Sequence, residues 1–526
     1  MTQESPLTAA PARRSVESQR PGTGETWRRF PASDQADVAK AVGDARDAQP
    51  AWAAIPVGQR IHILGCFHDL LFDRRGELAE LISRETDKPA HEAMLTEIGV
   101  VLDNAVYLRR AIPKLLASGW FTASGPAFIR KRLRVAKEPY GVVGVITPWN
   151  YPFMLACARL LPALATGNAV VFKPSEFTPS TAEFTHALLL DAGFPPAVVQ
   201  LLQGDGVTGA ALAAAAVDKL FFTGSERGGR AVAHTAAERL IPCDLELGGN
   251  DPAIVLADAD VGHAASGIAW GRFSNAGQTC VAPKRVFVED AAYEPFVKAI
   301  STVVSALRTG DASAAETEVG AMIRPEFRIV LESQRDDAVS RGARVAAVGT
   351  AAGPRFFPPT VLVDVPAGAR VMSEETFGPL LSIVRVKDAA EAVTRANASD
   401  YGLSASVWSR NTARATSIAE QLECGTVSVN DVLVTAGTPA IPHGGVKRSG
   451  IGRSHGEAGL AACVRTKALV ADRFPSWRQP QWFGYSARRP EDVDAFIRFA
   501  HARGPFGKVR ALAGVLRFVL RPGRPL

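Results

Sequence analysis

The chain has 526 residues, of which 47% are hydrophobic and 21% charged, a composition typical of a globular protein with two or three domains. Its 59 basic and 53 acidic side chains leave a formal net charge of +6, too small an excess to suggest nucleic acid as a partner. Six widely spaced cysteines form no CxxC pair and no metal-ligand cluster. This cysteine pattern indicates a reducing cytoplasm and predicts no metal site.

The first hundred residues predict a tail followed by helices. Residues 1–30 begin with mixed charges and no apolar core, so we expect a flexible polar tail and not a secretory signal. From Asp34 to Asp103 apolar residues recur at helical spacing, as in Val38, Ala41 and Val42. Residues 128–136 then alternate basic and apolar side chains, which predicts a strand with one solvated face, in a projecting hairpin arm.

After Pro139, apolar strand-like runs alternate with helical segments, which predicts a parallel sheet wound on both faces, with ligands at the carboxyl ends of its strands. The predicted strands of this sheet are residues 142–147, 169–173, 198–203 and 219–223. A second α/β block over residues 247–438 predicts a separate catalytic domain, with strands at 253–256, 285–289, 380–386 and 425–429. Residues 463–472 predict a late strand.

Three polar motifs follow predicted strands of the first sheet. Asn150 follows Pro148-Trp149, where its amide can donate to a developing oxyanion or simply form a turn. Lys173 and Glu176 can both reach a ribose, or form a surface ion pair. Ser225 lies in a Gly turn before a helix, which suits a pyrophosphate, although such a serine is usually only a helix cap.

Two further motifs contain Glu246 and Cys280. A carboxylate in the apolar context of Glu246-Leu247-Gly248-Gly249 is expected to have a raised pKa, which suits a general base. Cysteine is the strongest side-chain nucleophile near neutral pH, so Cys280 is a candidate for covalent catalysis. The alternatives are an inert buried cysteine and a plain strand-to-turn junction.

Together, these motifs resemble the aldehyde dehydrogenase superfamily in order and approximate spacing. The resemblance covers roughly residues 21–472. It is carried by Pro148-Trp149-Asn150, Lys173-Pro174-Ser175-Glu176, Phe222-Thr223-Gly224-Ser225, Glu246-Leu247-Gly248-Gly249, Gly277-Gln278-Thr279-Cys280, Glu374-Glu375-Thr376-Phe377-Gly378-Pro379, Tyr401-Gly402-Leu403-Ser404-Ala405 and Pro442-His443-Gly444-Gly445 through Gly450.

The resemblance implies an α/β fold with a doubly wound cofactor-binding domain, an α/β catalytic domain and a small β oligomerisation element. On this basis residues 31–246 form the NAD-binding domain, with an oligomerisation arm at 124–138, and residues 247–445 form the catalytic domain. Residues 446–483 return to the cofactor domain and supply an oligomerisation strand. Enzymes of this family are usually dimers or tetramers, so we expect a homodimer or homotetramer.

The resemblance also implies residue roles. Cys280 attacks the aldehyde, the side chain of Asn150 and the backbone N–H of Cys280 hold the oxyanion, and Glu246 deprotonates the water that hydrolyses the thioester. A carboxylate at Glu176 favours NAD, with NADP possible but less favoured. The implied cofactor-binding residues are Thr147, Pro148, Trp149, Lys173, Ser175, Glu176, Gly204, Thr223, Gly224, Ser225, Leu247, Glu375 and Phe377.

Two departures from the family pattern leave the substrate open: Asn250 stands where a lysine is common, and His443 where a phenylalanine is common. Residues 432–438 offer no evident anchor for a substrate carboxylate. Besides a general aldehyde dehydrogenase, the chain could be a semialdehyde dehydrogenase of the succinate-semialdehyde type, a CoA-acylating relative or a catalytically silent scaffold. Glu246 argues against CoA acylation, and intact Cys280, Glu246 and Asn150 argue against the scaffold.

Residues 484–526 lie beyond the usual end of the family and form a basic, amphipathic extension. Helical stretches at 493–502 and 509–520 are apolar on part of their surface. Four interpretations of the extension are open: it packs on the enzyme's own surface, contacts an anionic membrane, covers the substrate entrance or contacts a neighbouring subunit. No stretch reaches the length of a spanning helix. We therefore expect a cytoplasmic protein, with peripheral contact at the inner membrane surface as a further hypothesis.

Overall fold

The structure is a computed structural model that describes residues 14–122, 128, 130–474, 479, 482–483, 487–501 and 503–520. The chain divides into two compact units. The first contains residues 1–115 and 139–465, and the second contains residues 116–138 and 466–526. Both parallel sheets predicted from the sequence belong to the first unit.

The strands of the described residues are β1 (Ser15–Gln19), β2 (Thr26–Pro31), β3 (Phe121–Thr122), β4 (Lys131–Pro139), β5 (Val142–Ile146), β6 (Ala169–Lys173), β7 (Val199–Leu201), β8 (Lys219–Thr223), β9 (Cys243–Glu246), β10 (Asp251–Val255), β11 (Pro283–Glu289), β12 (Arg344–Val348), β13 (Thr360–Val363), β14 (Leu380–Val386), β15 (Tyr401–Gly402), β16 (Ser404–Trp408), β17 (Thr426–Val429), β18 (Val446–Lys447), β19 (Gly450–Ile451) and β20 (Val464–Asp472).

The α-helices are α1 (Gln35–Ala54), α2 (Val57–Asp73), α3 (Arg75–Thr86), α4 (Ala90–Ala93), α5 (Val100–Leu116), α6 (Met154–Ala165), α7 (Pro179–Asp191), α8 (Gly206–Ala214), α9 (Glu226–Glu238), α10 (Val261–Phe273), α11 (Asp290–Ala306), α12 (Pro325–Ser340), α13 (Arg370–Ser373), α14 (Ala389–Asn397), α15 (Thr412–Ala419), α16 (Val434–Gly437), α17 (Gly456–Ala461), α18 (Arg489–His501) and α19 (Pro505–Leu520). A π-helical turn, Met94–Gly99, joins α4 to α5.

The expectation of a flexible tail over residues 1–30 is wrong for β1 and β2, which pair as an antiparallel hairpin. Val16, Ser18 and Phe30 are buried, because alternate residues of the hairpin face the protein. The Ser18 hydroxyl also lies 2.6 Å from that of Ser180 at the start of α7. Residues 1–13 lie outside the described part of the chain.

The predicted helical opening is confirmed by α1 to α5. Asp34 caps α1, because its carboxylate accepts from the backbone N–H groups of Ala36 and Asp37, while the Asp37 carboxylate accepts from the Asp34 N–H. Buried residues repeat along one face of the helix, as in Val38, Ala41 and Ala45.

The first sheet has six strands in the order β19-β9-β8-β5-β6-β7. Its strands run parallel except β19, which pairs antiparallel with β9. The second sheet has seven strands in the order β12-β13-β14-β11-β10-β16-β17, with β12 antiparallel to its neighbour. Helices between consecutive strands give an α/β fold. The first and last residues of each predicted strand lie within three residues of those of an observed strand. The second sheet is inserted in the chain between β9 and β19 of the first.

In the second unit, β20, β4 and β3 form a three-stranded sheet in that order. The strand predicted in the arm at 128–136 is observed as β4, which starts later, at Lys131, and extends to Pro139. Residues 124–127 and 129 of the predicted arm lie outside the described residues. The two predicted C-terminal helices correspond to α18 and α19, which pack against each other.

Candidate active site

One cavity of about 1080 Å³ is lined by residues of the first sheet, such as Lys173 and Glu246, and by segments that flank strands of the second sheet, such as those of Cys280, Phe377 and Val432. Every candidate catalytic residue and every candidate cofactor residue lines this cavity, with one exception. Gly204 is absent from the wall. It occupies a turn with a φ of 153°, where a β-carbon would lie 2.1 Å from the Thr208 hydroxyl, so its glycine is explained by the turn alone.

Cys280 follows a strained turn that begins in the 3-10 segment Ser274–Gly277. Asn275, Ala276 and Gly277 all have positive φ values, of 51°, 51° and 70°. A β-carbon at Gly277 would lie 2.5 Å from the carbonyl carbon of Gly378. The turn therefore requires glycine at this point, and its strain is of the kind found where a side chain must be presented to a site.

Three side chains fix the backbone around Cys280. The Asn150 Nδ2 donates to the Gln278 carbonyl at 3.0 Å, and the Tyr151 and Thr279 hydroxyls lie 2.8 Å apart. The buried Lys284 Nζ donates to the Cys280 carbonyl at 2.6 Å. The candidate nucleophile and the candidate oxyanion donor are therefore held on neighbouring parts of the cavity wall.

Burial raises the pKa of the Cys280 thiol to about 12. Lys284 lowers this pKa, whereas the carboxylates of Asp251, Glu375 and Glu246 raise it further. The thiol is consequently protonated at neutral pH. Attack by this sulfur on a substrate requires a group that takes the proton away.

Glu246 ends β9, and its pKa contradicts the sequence expectation of a raised value. Burial raises the pKa, but Arg159, His443 and Ser454 together lower it below the ordinary 4.5. The Arg159 Nη2 lies 2.8 Å from the Glu246 Oε1, and both side chains are almost fully buried. Glu246 is therefore an ionised carboxylate at neutral pH, because a buried guanidinium compensates its charge.

The cofactor side of the cavity brings together an ammonium, a carboxylate and a helix start. The Lys173 Nζ lies 3.7 Å from the Glu176 Oε2, and Glu176 is the more exposed of the two. Ser225 is the N-cap of α9 and accepts from the Gly228 N–H at 3.2 Å. An α-helix start with Ser225 beside it suits a pyrophosphate, and the Lys173–Glu176 pair suits ribose hydroxyls, so these residues fit a dinucleotide.

Glu375 approaches the backbone after β9. Its Oε1 accepts from the Gly249 N–H at 3.0 Å. A β-carbon at Gly248 would lie 2.1 Å from the Glu375 Oε2, so glycine is needed to let this carboxylate reach the cavity wall. Burial raises the pKa of Glu375, and Lys284 opposes that effect.

Trp149 lies in a cluster of aromatic rings at the cavity. Its ring centroid is 5.6 Å from that of Phe377, in a perpendicular contact, and 5.6 Å from that of Phe327, in a stacked one. Phe177 lies 6.4 Å away. The candidate residues Trp149 and Phe377 are brought together by this cluster, whereas Phe177 and Phe327 carry no motif and were not expected there.

The sequence also missed a buried ion pair that supports Asn150. The Lys88 Nζ lies 2.6 Å from the Glu97 Oε1, with both side chains fully buried, and donates to the Asn150 carbonyl at 3.0 Å. The Glu97 Oε2 accepts from the N–H groups of Phe153 and Met154 at the start of α6. Charged residues in a helical segment ordinarily indicate a solvated face, so no sequence signal identified this pair.

The family model of the aldehyde dehydrogenase family matches residues 8–469. The chain is 38% identical over 481 residues to a 4,4'-diapolycopene aldehyde oxidase of Methylomonas sp, covering 91% of this chain and 90% of that protein. It is 37% identical over 456 residues to a putative succinate-semialdehyde dehydrogenase [NADP(+)] 2 of Mycobacterium ulcerans, covering 86% of this chain and 87% of that protein. A solved NADP dependent enzyme of E. coli has a TM-score of 0.84 at 34% identity, covering 87% of this chain and 95% of that one.

Proposed function

The chain belongs to the aldehyde dehydrogenase family, and we propose that it oxidises an aldehyde to the carboxylic acid through a thioester on Cys280. One observation carries the proposal: Cys280, Asn150 and an ionised Glu246 line the same cavity. A nucleophile, an amide donor and a base are the three groups that acyl transfer to water requires.

In the proposed mechanism, the Cys280 sulfur forms a bond to the aldehyde carbon while the thiol proton is lost to the medium through Glu246. The Asn150 amide, which has two N–H donors, and the Cys280 backbone N–H stabilise the oxyanion. Lys173, Glu176 and Ser225 would hold NAD, which would supply the acceptor for the hydride that leaves this carbon. Glu246 then takes a proton from water, whose oxygen attacks the thioester and releases Cys280 with the carboxylic acid.

Rapid mixing of the enzyme with aldehyde and NAD tests this assignment. The wild type should form NADH continuously, and Cys280→Ala should form none. Glu246→Gln should form at most one NADH per site, more slowly than the wild type, because the thiol proton has lost its acceptor and the thioester is no longer hydrolysed. If Glu246→Gln turned over like the wild type, or if turnover required CoA, hydrolysis by Glu246 would be rejected. Absence of NADH in the wild type would favour the silent scaffold.

NAD is proposed as the preferred cofactor, although the relatives named above include enzymes called NADP dependent. Glu176 supports this preference, because a carboxylate beside the adenosine ribose accepts from free hydroxyls and repels a 2′-phosphate. Lys173 does not cancel that repulsion. It is buried and already paired with Glu176, and burial lowers its pKa.

We propose that the substrate is a long apolar aldehyde. The support is a surface named here the substrate wall, formed by Leu95, Val100, Trp270, Val432, Leu433 and Val434, all of which line the cavity. At its outer edge Leu95 is 67% exposed and Trp270 and Val434 are each 44% exposed. Exposed apolar side chains that continue a cavity to the protein surface favour binding of an apolar chain.

The charges around the cavity oppose a carboxylate-bearing substrate. Among the described lining residues, the lysine and arginine side chains are Lys173 and Arg227, which both belong to the cofactor side. Burial lowers the pKa of His443 and lowers that of His455 to about 4, so both imidazoles are neutral at neutral pH. A succinate semialdehyde would thus place its carboxylate beside apolar side chains, which is unfavourable.

A series of straight-chain aldehydes tests this substrate class. Each methylene that reaches the substrate wall contributes up to about 0.8 kcal/mol, so KM should fall by up to about fourfold per carbon until the wall is covered. Succinate semialdehyde should have a far lower kcat/KM than hexanal. The opposite ranking would reject the apolar substrate and favour the semialdehyde alternative.

We also propose that the chain forms a homodimer or homotetramer through the β20-β4-β3 sheet. Val135 of β4 and Val470 of β20 are 44% and 64% exposed, which favours burial against another subunit. Light scattering should give a mass of two or four chains, and Val470→Asp should reduce it.

A further inference from the structure

The helical hairpin formed by α18 and α19 lies beyond the matched family region, which ends at residue 469. The last 24 residues, 503–526, contain six basic residues and no acidic one. Their formal charge therefore equals the +6 of the whole chain. The shared catalytic fold, which ends before this segment, does not account for its charge.

The described part of α19 presents an apolar face to solvent. Phe506, Val509, Leu512 and Leu516 are 86%, 71%, 45% and 49% exposed. At 100° per residue these four positions fall within an arc of about 120° on one side of the helix. Ala511, on the opposite side, is 5% exposed. The helix thus packs through small residues and leaves its large apolar side chains in water.

Exposed basic residues flank this apolar face on both sides. Arg510 lies about 40° beyond Phe506 around the helix, and Lys508 lies about 40° beyond Leu512 on the other edge. Face-to-face pairing with a second copy would bring these like charges toward each other, which opposes association. An anionic surface would instead pair with both rows of charge.

We propose that α19 binds the surface of an anionic lipid bilayer, with its axis parallel to the membrane. The four apolar side chains enter the boundary between headgroups and acyl chains, and Lys508 and Arg510 contact lipid phosphates. No helix among the described residues is long and apolar enough to cross a membrane, so the contact is peripheral. The inference stands on the hairpin alone, and its failure would leave the proposed oxidation of aldehydes untouched.

Sedimentation of the full-length protein with vesicles tests the proposal. Binding should be strong to vesicles of equal phosphatidylglycerol and phosphatidylcholine, weak to phosphatidylcholine alone, and reduced by salt. Each basic residue near an anionic surface strengthens binding by roughly fivefold, so Lys508→Glu with Arg510→Glu should weaken it at least about thirtyfold. Phe506→Ser with Leu516→Ser should weaken binding to the same vesicles without changing the net charge.

A matched control reverses two exposed lysines of the first unit, Lys298→Glu with Lys387→Glu. This variant has the same net charge as the α19 double reversal and should retain vesicle binding. The proposal is overturned if the control loses as much affinity, or if the wild type binds neutral vesicles equally well. It is also overturned if Phe506→Ser with Leu516→Ser dissociates an oligomer, since the face would then be covered by a second copy.

Discussion

Replacement of Arg159 by methionine should change both the stability of the protein and the pH dependence of hydrolysis. The Arg159 Nη2 and the Glu246 Oε1 are 2.8 Å apart, and the side chains are 3% and 8% exposed. At an effective dielectric constant of 20, charges about 4 Å apart attract by about 4 kcal/mol. Because Arg159→Met leaves a buried carboxylate without its partner, the free energy of unfolding should fall by about 3–5 kcal/mol at pH 7.

The direction of the pH effect follows from the pKa of Glu246. In the wild type this pKa lies below the ordinary 4.5, so the stability gained from the ion pair is present above pH 4.5 and is lost as the pH falls through the lowered pKa. Without Arg159, burial is the largest influence that remains, and it raises the pKa. A smaller fraction of Glu246 is then ionised at a given pH, so the acid limb of hydrolysis should move to higher pH.

The assay follows NADH absorbance between pH 5 and pH 9 with an aldehyde for which thioester hydrolysis limits the rate. Urea unfolding of the same variants gives the stability. Arg159→Lys retains the charge and should keep the acid limb near that of the wild type.

Lys219→Met supplies the matched control, because the Lys219 Nζ pairs with Asp244 at 3.0 Å and is equally buried. This variant should lose stability but leave the acid limb unchanged. If the acid limb of Arg159→Met coincided with that of Lys219→Met, the claim that Arg159 sets the ionisation of Glu246 would be refuted.

Four further substitutions test other parts of the site. Lys88→Met should lower the free energy of unfolding by about 3–5 kcal/mol in urea, since Glu97 would remain buried and unpaired. His443→Phe should raise it by about 1 kcal/mol, because the His443 Nδ1 is buried without a hydrogen-bond partner; an unchanged midpoint would argue that the nitrogen is solvated. Glu176→Gln should increase kcat/KM for NADP relative to NAD by about tenfold, because it removes a repulsion of about 1.4 kcal/mol between the carboxylate and the 2′-phosphate. Trp270→Ala should raise KM about tenfold for decanal but not for acetaldehyde, through loss of about 60 Å² of apolar contact.

Much of the fold was predictable because local patterns agree with the final packing. The strands β6, β8 and β14 match their predicted bounds, since each is an apolar run between turn residues. Cys280 and Glu375 precede the strands β11 and β14, but the predicted site residues that follow strands of the first sheet meet at one cavity because the carboxyl ends of parallel strands lie along the same edge of a sheet. Motifs that follow strands could therefore be placed together without knowledge of the loops.

The features that the sequence did not predict depend on contacts between segments that are distant in the chain. A single arginine within the apolar helix α6 gives no indication that its partner is Glu246, on a strand 87 positions later. The local sequence around Glu246 is apolar, so it predicted a raised pKa. It gives no sign of the Arg159 charge that lowers the pKa. The β1-β2 hairpin was likewise missed, because its burial depends on contacts with α3 and α7.

The pairing of Gly450 with Glu246 has a consequence for synthesis of the protein. Glu246 ends a strand whose outer neighbour emerges from the ribosome roughly two hundred residues later, after the whole second sheet. Until β19 arrives, β9 is an unpaired edge that can join strands of other chains. A growing polypeptide that already contains Cys280 therefore still lacks β19, the strand that pairs with Glu246. We expect the risk of aggregation to be greatest during this interval of synthesis.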